Sequence, residues 1–222
     1  AARARLREAI AGAEAALRTI PADEAQQREV FFAAMQKDGG LQWPVAEVVS
    51  ATSSNGSTLT AQADGSVLAS GANPATDRHV LTLRTEASDL RMLCVEALPD
   101  ASLPEGKVGR APNGNAVLES IRLAVRPLGS TADFTPVPFV WASADYEQDD
   151  GDYRVVNALR DDELGFAVGA HQRPAQPVRA LFLAEAPFGG QGGSELRVEL
   201  DYDSVYPQHV FGRVRLHVGT LG

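Results

Sequence analysis

Internal disulfide chemistry is absent from this chain, because its 222 residues hold a single cysteine and one thiol cannot close a bridge on itself. Cys94 stands inside Arg91-Met92-Leu93-Cys94-Val95, an apolar strand context, and reads as a buried inert thiol rather than a nucleophile. The spacing Cys-x-x-Cys-His is missing, so this segment attaches no c-type haem. No apolar run approaches the roughly 20 residues that a membrane-crossing helix needs, so no membrane span is expected. Positive charge is scarce. With 20 Lys and Arg against 29 Asp and Glu the formal charge is -9, which argues against nucleic acid as a partner and reads as a solubility device. Ala1-Ala2-Arg3 lacks the character of a secretory signal. The chain therefore reads as an internal segment of a larger protein, and the missing leader says nothing about the parent's destination.

Aromatic residues make up only 6% of the chain. That matters for sugar recognition, where flat rings stack on sugar faces. Trp43, Trp141, Tyr146, Tyr153, Tyr202 and Tyr206 are the candidates. Trp43 and Trp141 lie within or beside strand-like runs and read as core aromatics. Tyr202 and Tyr206 flank a loop, and the sequence alone does not decide whether they are exposed.

What the chain does contain divides at about residue 40. Residues 1–40 read as a helical arm or linker, with Leu6, Ile10, Ala13, Leu17 and Ile20 on one face. Pro21 interrupts that stripe, and Val30, Phe31, Ala34 and Met35 form a second one, stopped by Gly39-Gly40. Two short helices or one kinked helix fit equally well. Residues 41–222 read as a β domain. Strands are predicted over 45–51, 57–63, 79–84, 91–97, 117–125, 137–142, 178–184, 195–200 and 214–218. His79-Val80-Leu81-Thr82-Leu83-Arg84 and Glu195-Leu196-Arg197-Val198-Glu199-Leu200 alternate apolar and polar residues, the period of a half-buried strand. Asn55-Gly56 and Asp64-Gly65 mark turns. Without crossover helices the expected fold is mainly β, an antiparallel β-sandwich or jelly roll preceded by the N-terminal helical arm.

Few constellations carry chemistry. The acidic run Asp145 to Asp152 has the carboxylates for calcium, but its Gly and its twelfth position do not fit an EF-hand loop. A solvated acidic turn is the favoured reading, with calcium as its alternative. His79, His171, His209 and His217 share no metal-ligand spacing, so no metal site is expected. Gly189-Gly190-Gln191-Gly192-Gly193 precedes a strand rather than a helix and reads as a hairpin connection, not a phosphate cradle. No Gly-x-Ser-x-Gly elbow occurs, and no catalytic residue is nominated.

The segment Leu98-Pro99-Asp100-Ala101-Ser102-Leu103-Pro104, closed by Gly109-Arg110-Ala111-Pro112-Asn113-Gly114-Asn115, is different. A connection this long inside a β domain needs a reason to exist. Arg110, with its five donors, suits bracing of carbonyls or of an acid such as Asp100. The alternative is that a stiff loop presents Arg110, Asn113 and Asn115 to a polyhydroxylated ligand.

These residues also carry a resemblance. Asp64-Gly65-Ser66-Val67-Leu68-Ala69-Ser70-Gly71, then Val95-Glu96-Ala97-Leu98-Pro99-Asp100, then the Gly109 to Asn115 run and Gly212-Arg213-Val214-Arg215-Leu216 form an ordered series. It resembles a β-rich, galactose-binding-like module inserted in large multidomain proteins of planctomycetes and related bacteria. Those proteins pair a cytochrome c-like domain with domains of unassigned function. Ala116 and Phe166 depart from the pattern, where Phe and Trp are common. The resemblance implies a jelly roll in an exported protein, periplasmic or at the cell surface; from the missing haem spacing, no cofactor is expected in this segment. The expected function is a non-catalytic accessory module that binds polysaccharide. The alternative is a structural spacer that docks neighbouring domains of the parent without a ligand of its own. A hydrolase is a third reading that no pair of carboxylates supports.

Overall fold

Alternation of apolar residues is the main organiser of the computed structural model, which describes residues 41–148, 151–160, 164–169 and 176–221. The chain divides into two compact units, Ala1–Gln42 with Leu221–Gly222, and Trp43–Thr220. The helical arm expected over residues 1–40 lies outside the described residues.

The described chain opens with β1 (Leu41–Gln42), followed by β2 (Glu47–Ser53), β3 (Ser57–Ala61), β4 (Ser66–Gly71), β5 (Asp77–Thr85) and β6 (Leu90–Ala97). Next come β7 (Ala116–Leu118), β8 (Ser120–Pro127), β9 (Thr135–Val137) and β10 (Phe139–Ala144). The last strands are β11 (Phe166–Val168), β12 (Val178–Phe188), β13 (Ser194–Tyr202) and β14 (Arg213–Leu221). The domain is mainly β, and its sheets are antiparallel. The larger sheet runs in the order β10-β12-β6-β14-β4-β3, and a second runs β2-β5-β13-β8-β9. β11 and β7 pair separately.

In the second sheet β5 and β13 face each other with Leu81 opposite Val198 and Leu83 opposite Leu196. β13 meets β8 with Val198 opposite Leu123 and Leu200 opposite Ile121. In the larger sheet Leu93 faces Phe182 on one side and Val218 on the other, while Val95 faces Ala180 and Leu216. These side chains from both sheets belong to one buried cluster. Each fully buried aliphatic or aromatic side chain contributes about 1.5–3 kcal/mol relative to exposure. Pro136 lies on β9, an edge strand, where its missing N–H removes no ladder bond from the sheet interior.

Several strands differ from expectation. The single strand expected over 117–125 is two, β7 and β8, and that over 137–142 is also two, β9 and β10. β1, β4 and the short β11 were not expected; β4 buries the adjacent Ser66 and Val67 and then Ala69, a pattern that breaks the period of two.

The long loop from Leu98 to Asn115 is tied down along its length. Leu98 N–H donates to the Arg213 carbonyl, Arg110 N–H to that of Val210, and Gly109 bridges to Phe211. Leu103 fills the space left by Gly212, where a Cβ would lie 2.2 Å from its side chain. Asp100 Oδ1 accepts from the Ser102 N–H and hydroxyl, and Oδ2 from Arg213 Nη1 at 3.0 Å. Asp100 is thus held by Arg213 rather than by Arg110.

Candidate functional site: the outer face of the larger sheet

Strand parity places Leu93 and Val95 in the core and turns Met92, Cys94 and Glu96 to the opposite face of the sheet. Register then aligns rows across the strands. Ser143 is opposite Leu181, Leu181 opposite Cys94, and Cys94 opposite His217. One step along, Arg179 is opposite Glu96, Glu96 opposite Arg215, and Arg215 opposite Ser66. In the other direction Trp141 is opposite Leu183, and Leu183 opposite Met92, which faces Gly219. Gly219 has a packing reason. A Cβ there would lie 3.1 Å from the indole of Trp43, which also approaches the His217 ring edge-on with centroids 6.2 Å apart.

The first of these rows, Ser143, Leu181, Cys94 and His217, lines an open groove of about 690 Å³. Cys94, Leu181 and Ala144 supply apolar lining, Trp43 an aromatic wall, and Asp145, Arg179 and His217 polar groups. Trp43 is 42% and Trp141 48% exposed, so neither is the core aromatic its strand context suggested. Tyr202, whose exposure the sequence left open, is 2% exposed and packs against His79 and Phe211. Tyr206 is exposed.

Glu96 is the electrostatic centre of this face. It is 2% exposed, yet three cationic or cation-forming side chains reach it. Arg215 donates from Nε at 2.9 Å and from Nη2 at 2.7 Å. Arg179 Nη2 lies 2.8 Å from Oε1, and His217 Nε2 lies 3.2 Å from Oε2. Burial works to raise the Glu96 pKa, but the hydrogen bonds from Arg215 and His217 and the charges of Arg215 and Arg179 outweigh it and hold it below the ordinary value. The carboxylate is ionised and fully occupied as a brace. Beside it, burial first and the Glu96 charge second push the Cys94 thiol up to about 12.

The residues singled out in the long loop do not converge. Arg110 is 8% exposed and donates from Nη1 to Ser57 Oγ at 2.8 Å and from Nη2 to the Gly71 carbonyl at 3.0 Å. It belongs to a buried joint with Asp77. Burial lowers its pKa more than the Asp77 charge restores it. Asn113 is exposed, and its Oδ1 accepts the Asn115 N–H at 3.1 Å. Asn115 lines a separate hollow of about 120 Å³ with Tyr153, Tyr206 and His209.

The other candidates are scattered. Ser57 donates to Asp77, and His79 Nε2 lies 3.3 Å from that carboxylate without hydrogen-bond alignment. His171 lies outside the described residues. In the acidic run, Asp145 Oδ1 accepts the Arg179 N–H and Glu147 Oε1 accepts the Val155 N–H, while residues 149–150 are not described. Among the described residues no group of three or more His, Cys, Asp or Glu is placed to hold a metal ion, and no helix is long and apolar enough to cross a membrane.

Sequence reasoning missed Glu96, Arg179 and His217 as a set. Their strands are far apart in the chain, and no local spacing links them. The one available signal was parity: Cys94 and Glu96 alternate with Leu93, Val95 and Ala97, so they share the face away from the core. No protein-family model matches the chain, and no curated protein matches it.

Proposed function

We propose that the chain is a non-catalytic, carbohydrate-binding β-sandwich module of jelly-roll type, in which the groove on the outer face of the larger sheet takes the sugar. The observation that carries this reading is the exposure of Trp43 and Trp141 on the same face as Ser143, Asp145, Arg179 and His217. A saccharide offers apolar ring faces and equatorial hydroxyls, and such a surface meets it with indoles for the faces and a few fixed polar groups for the hydroxyls. The long loop serves the fold, through Arg110, rather than the ligand. The state of Glu96 supports a non-catalytic reading of this face: an ionised carboxylate engaged by Arg215, Arg179 and His217 is neither a proton donor nor a free nucleophile. The resemblance to modules of exported planctomycetal multidomain proteins fits this accessory role and a periplasmic or surface location.

A second reading, a docking spacer, is favoured by one observation. A bulge at Val140 on edge strand β10 leaves Val140 56% exposed beside Trp141. An immobilised polysaccharide array, probed with the 222-residue chain with and without calcium, separates the two. Binding by the wild type, weakened about tenfold or more by Trp43→Ala, a change of about 1.4 kcal/mol, is the expected result. No retention on any polysaccharide overturns the carbohydrate reading.

A further inference from the structure

Resting on the carbohydrate reading, we infer that the groove recognises an extended polysaccharide from within its length, not a monosaccharide or a chain terminus. The sugar chain lies across the strands, with an indole of this protein at each end of the contact.

The direction comes from register. The groove lining passes from His217 on β14 to Cys94 on β6, Leu181 on β12 and Ser143 on β10, residues opposite one another on four neighbouring strands. Such a row runs perpendicular to the strands with a step of about 4.8 Å, so three steps carry it about 14 Å, roughly the length of three pyranose residues in an extended chain and too long for one. The groove is open along this path, and β10 stands at one end of the sheet order, so the track reaches the sheet edge. That shape suits a sugar chain passing through.

The two tryptophans mark the ends of the track. Trp43 packs over β14, where a Cβ on Gly219 would lie 3.1 Å from its indole and the His217 ring lies 6.2 Å away, centroid to centroid. Trp141 stands on β10 two residues before Ser143 and shares its face by parity. Both indoles are exposed. Between them runs a second row beside the first, Trp141, Leu183, Met92 and Gly219, which carries no polar side chain except the indole N–H. The apolar row suits the ring faces of successive sugars, and Ser143 and His217 on the neighbouring row suit their hydroxyls. A sugar chain running along the strands would meet one of the two tryptophans; one running across them meets both.

Isothermal titration of the 222-residue chain tests this, with oligosaccharides made by partial acid hydrolysis of the polysaccharide that the array retains most strongly. The dissociation constant is expected to fall about tenfold or more from the monosaccharide to the tetrasaccharide and then to level off, because two linked contacts reinforce each other until both are made. Trp141→Ala is expected to weaken the tetrasaccharide about tenfold or more. The melting temperature should stay near wild type, since Trp141 is 48% exposed on an edge strand. A monosaccharide bound as tightly as the tetrasaccharide, or a length dependence untouched by Trp141→Ala, overturns the inference and leaves the carbohydrate reading standing. If Trp141→Ala fails to fold, the wild-type length profile decides alone. No retention of any polysaccharide on the array overturns both.

Discussion

Ser57 gives its hydroxyl to Asp77 Oδ2 at 2.6 Å, joining the start of β3 to the start of β5. Ser53 contacts both carboxylate oxygens of Asp77 at 2.8 and 2.7 Å, and the N–H groups of Asn55 and Arg78 donate to Oδ1. Arg110 then reaches in from the long loop to Ser57. One buried acid thus fastens a turn, two strands and the loop, and Arg110 transmits its hold.

Replacing Arg110 therefore tests a structural role. Arg110→Ala removes two hydrogen bonds from a charged donor in a buried site, each on a scale where loss costs about 1.5–3 kcal/mol. A net destabilisation of about 2 kcal/mol is expected, a melting-temperature fall on the order of 4–8 °C in a domain of this size. Carbohydrate affinity of the folded fraction should be unchanged. Intact stability with lost binding would show instead that Arg110 meets the ligand.

Much of the second sheet was legible, and the site was not, for one physical reason. Half-buried strands write their period into the sequence: His79 to Arg84 lies within β5, and Glu195 to Leu200 within β13. Alternation identifies two faces but not which one meets the core. Trp43 and Trp141 read as core aromatics from their place within or beside strand-like runs. Parity with Cys94 and Glu96, which pairing alone reveals, turns Trp141 outward. The brace on Glu96 joins β6, β12 and β14, and the register of those strands is a tertiary fact. Arg110 lay between the two cases, since five donors in a stiff loop imply bracing without naming Ser57 and Gly71 as its partners.

Acid should loosen the same joint. Burial raises the Asp77 pKa, and the His79, Ser57 and Ser53 contacts overcome that and hold it far below its ordinary 3.8. A group whose folded pKa is depressed stabilises fully above its unfolded pKa and loses that contribution as pH falls through the folded one. Stability should therefore decline below about pH 4. Asp77→Asn should be less stable at neutral pH and show a shallower decline between about pH 4 and 2. Glu96, Asp64 and Asp100 are also lowered, so some slope remains in the variant. Urea midpoints measured from pH 7 to 2 give the comparison, and parallel profiles would sink the assignment.

Two glycines should respond in opposite ways. At Gly109 a Cβ would sit 1.9 Å from the Asn115 carbonyl oxygen and 2.7 Å from that of Gly114, a backbone approach that no rotamer relieves. Gly109→Ala should cost about 2–3 kcal/mol, the scale of overpacking, and lower the melting temperature. At Gly190 nothing lies within 4 Å of the added Cβ and φ is not in the left-handed region. Gly190→Ala should be neutral or raise the melting temperature by restricting the unfolded chain. Equal melting of the two variants would mean that the loop does not close as tightly as Gly109 implies.

Cys94 should be silent in the folded protein although it lines the groove. It is 3% exposed, and burial together with the nearby Glu96 charge pushes its thiol up to about 12, so thiolate is scarce at pH 8. An aromatic disulfide reagent such as dithiobis-nitrobenzoate should release no colour from native protein within minutes. In urea, where the thiol regains its ordinary pKa of about 8.5, one equivalent should react promptly. Native labelling should then proceed only at the rate of local opening, slower still when the groove is occupied. Rapid native labelling would place Cys94 within reach of solvent and remove it from the protected lining on which Trp43 and Leu181 stand.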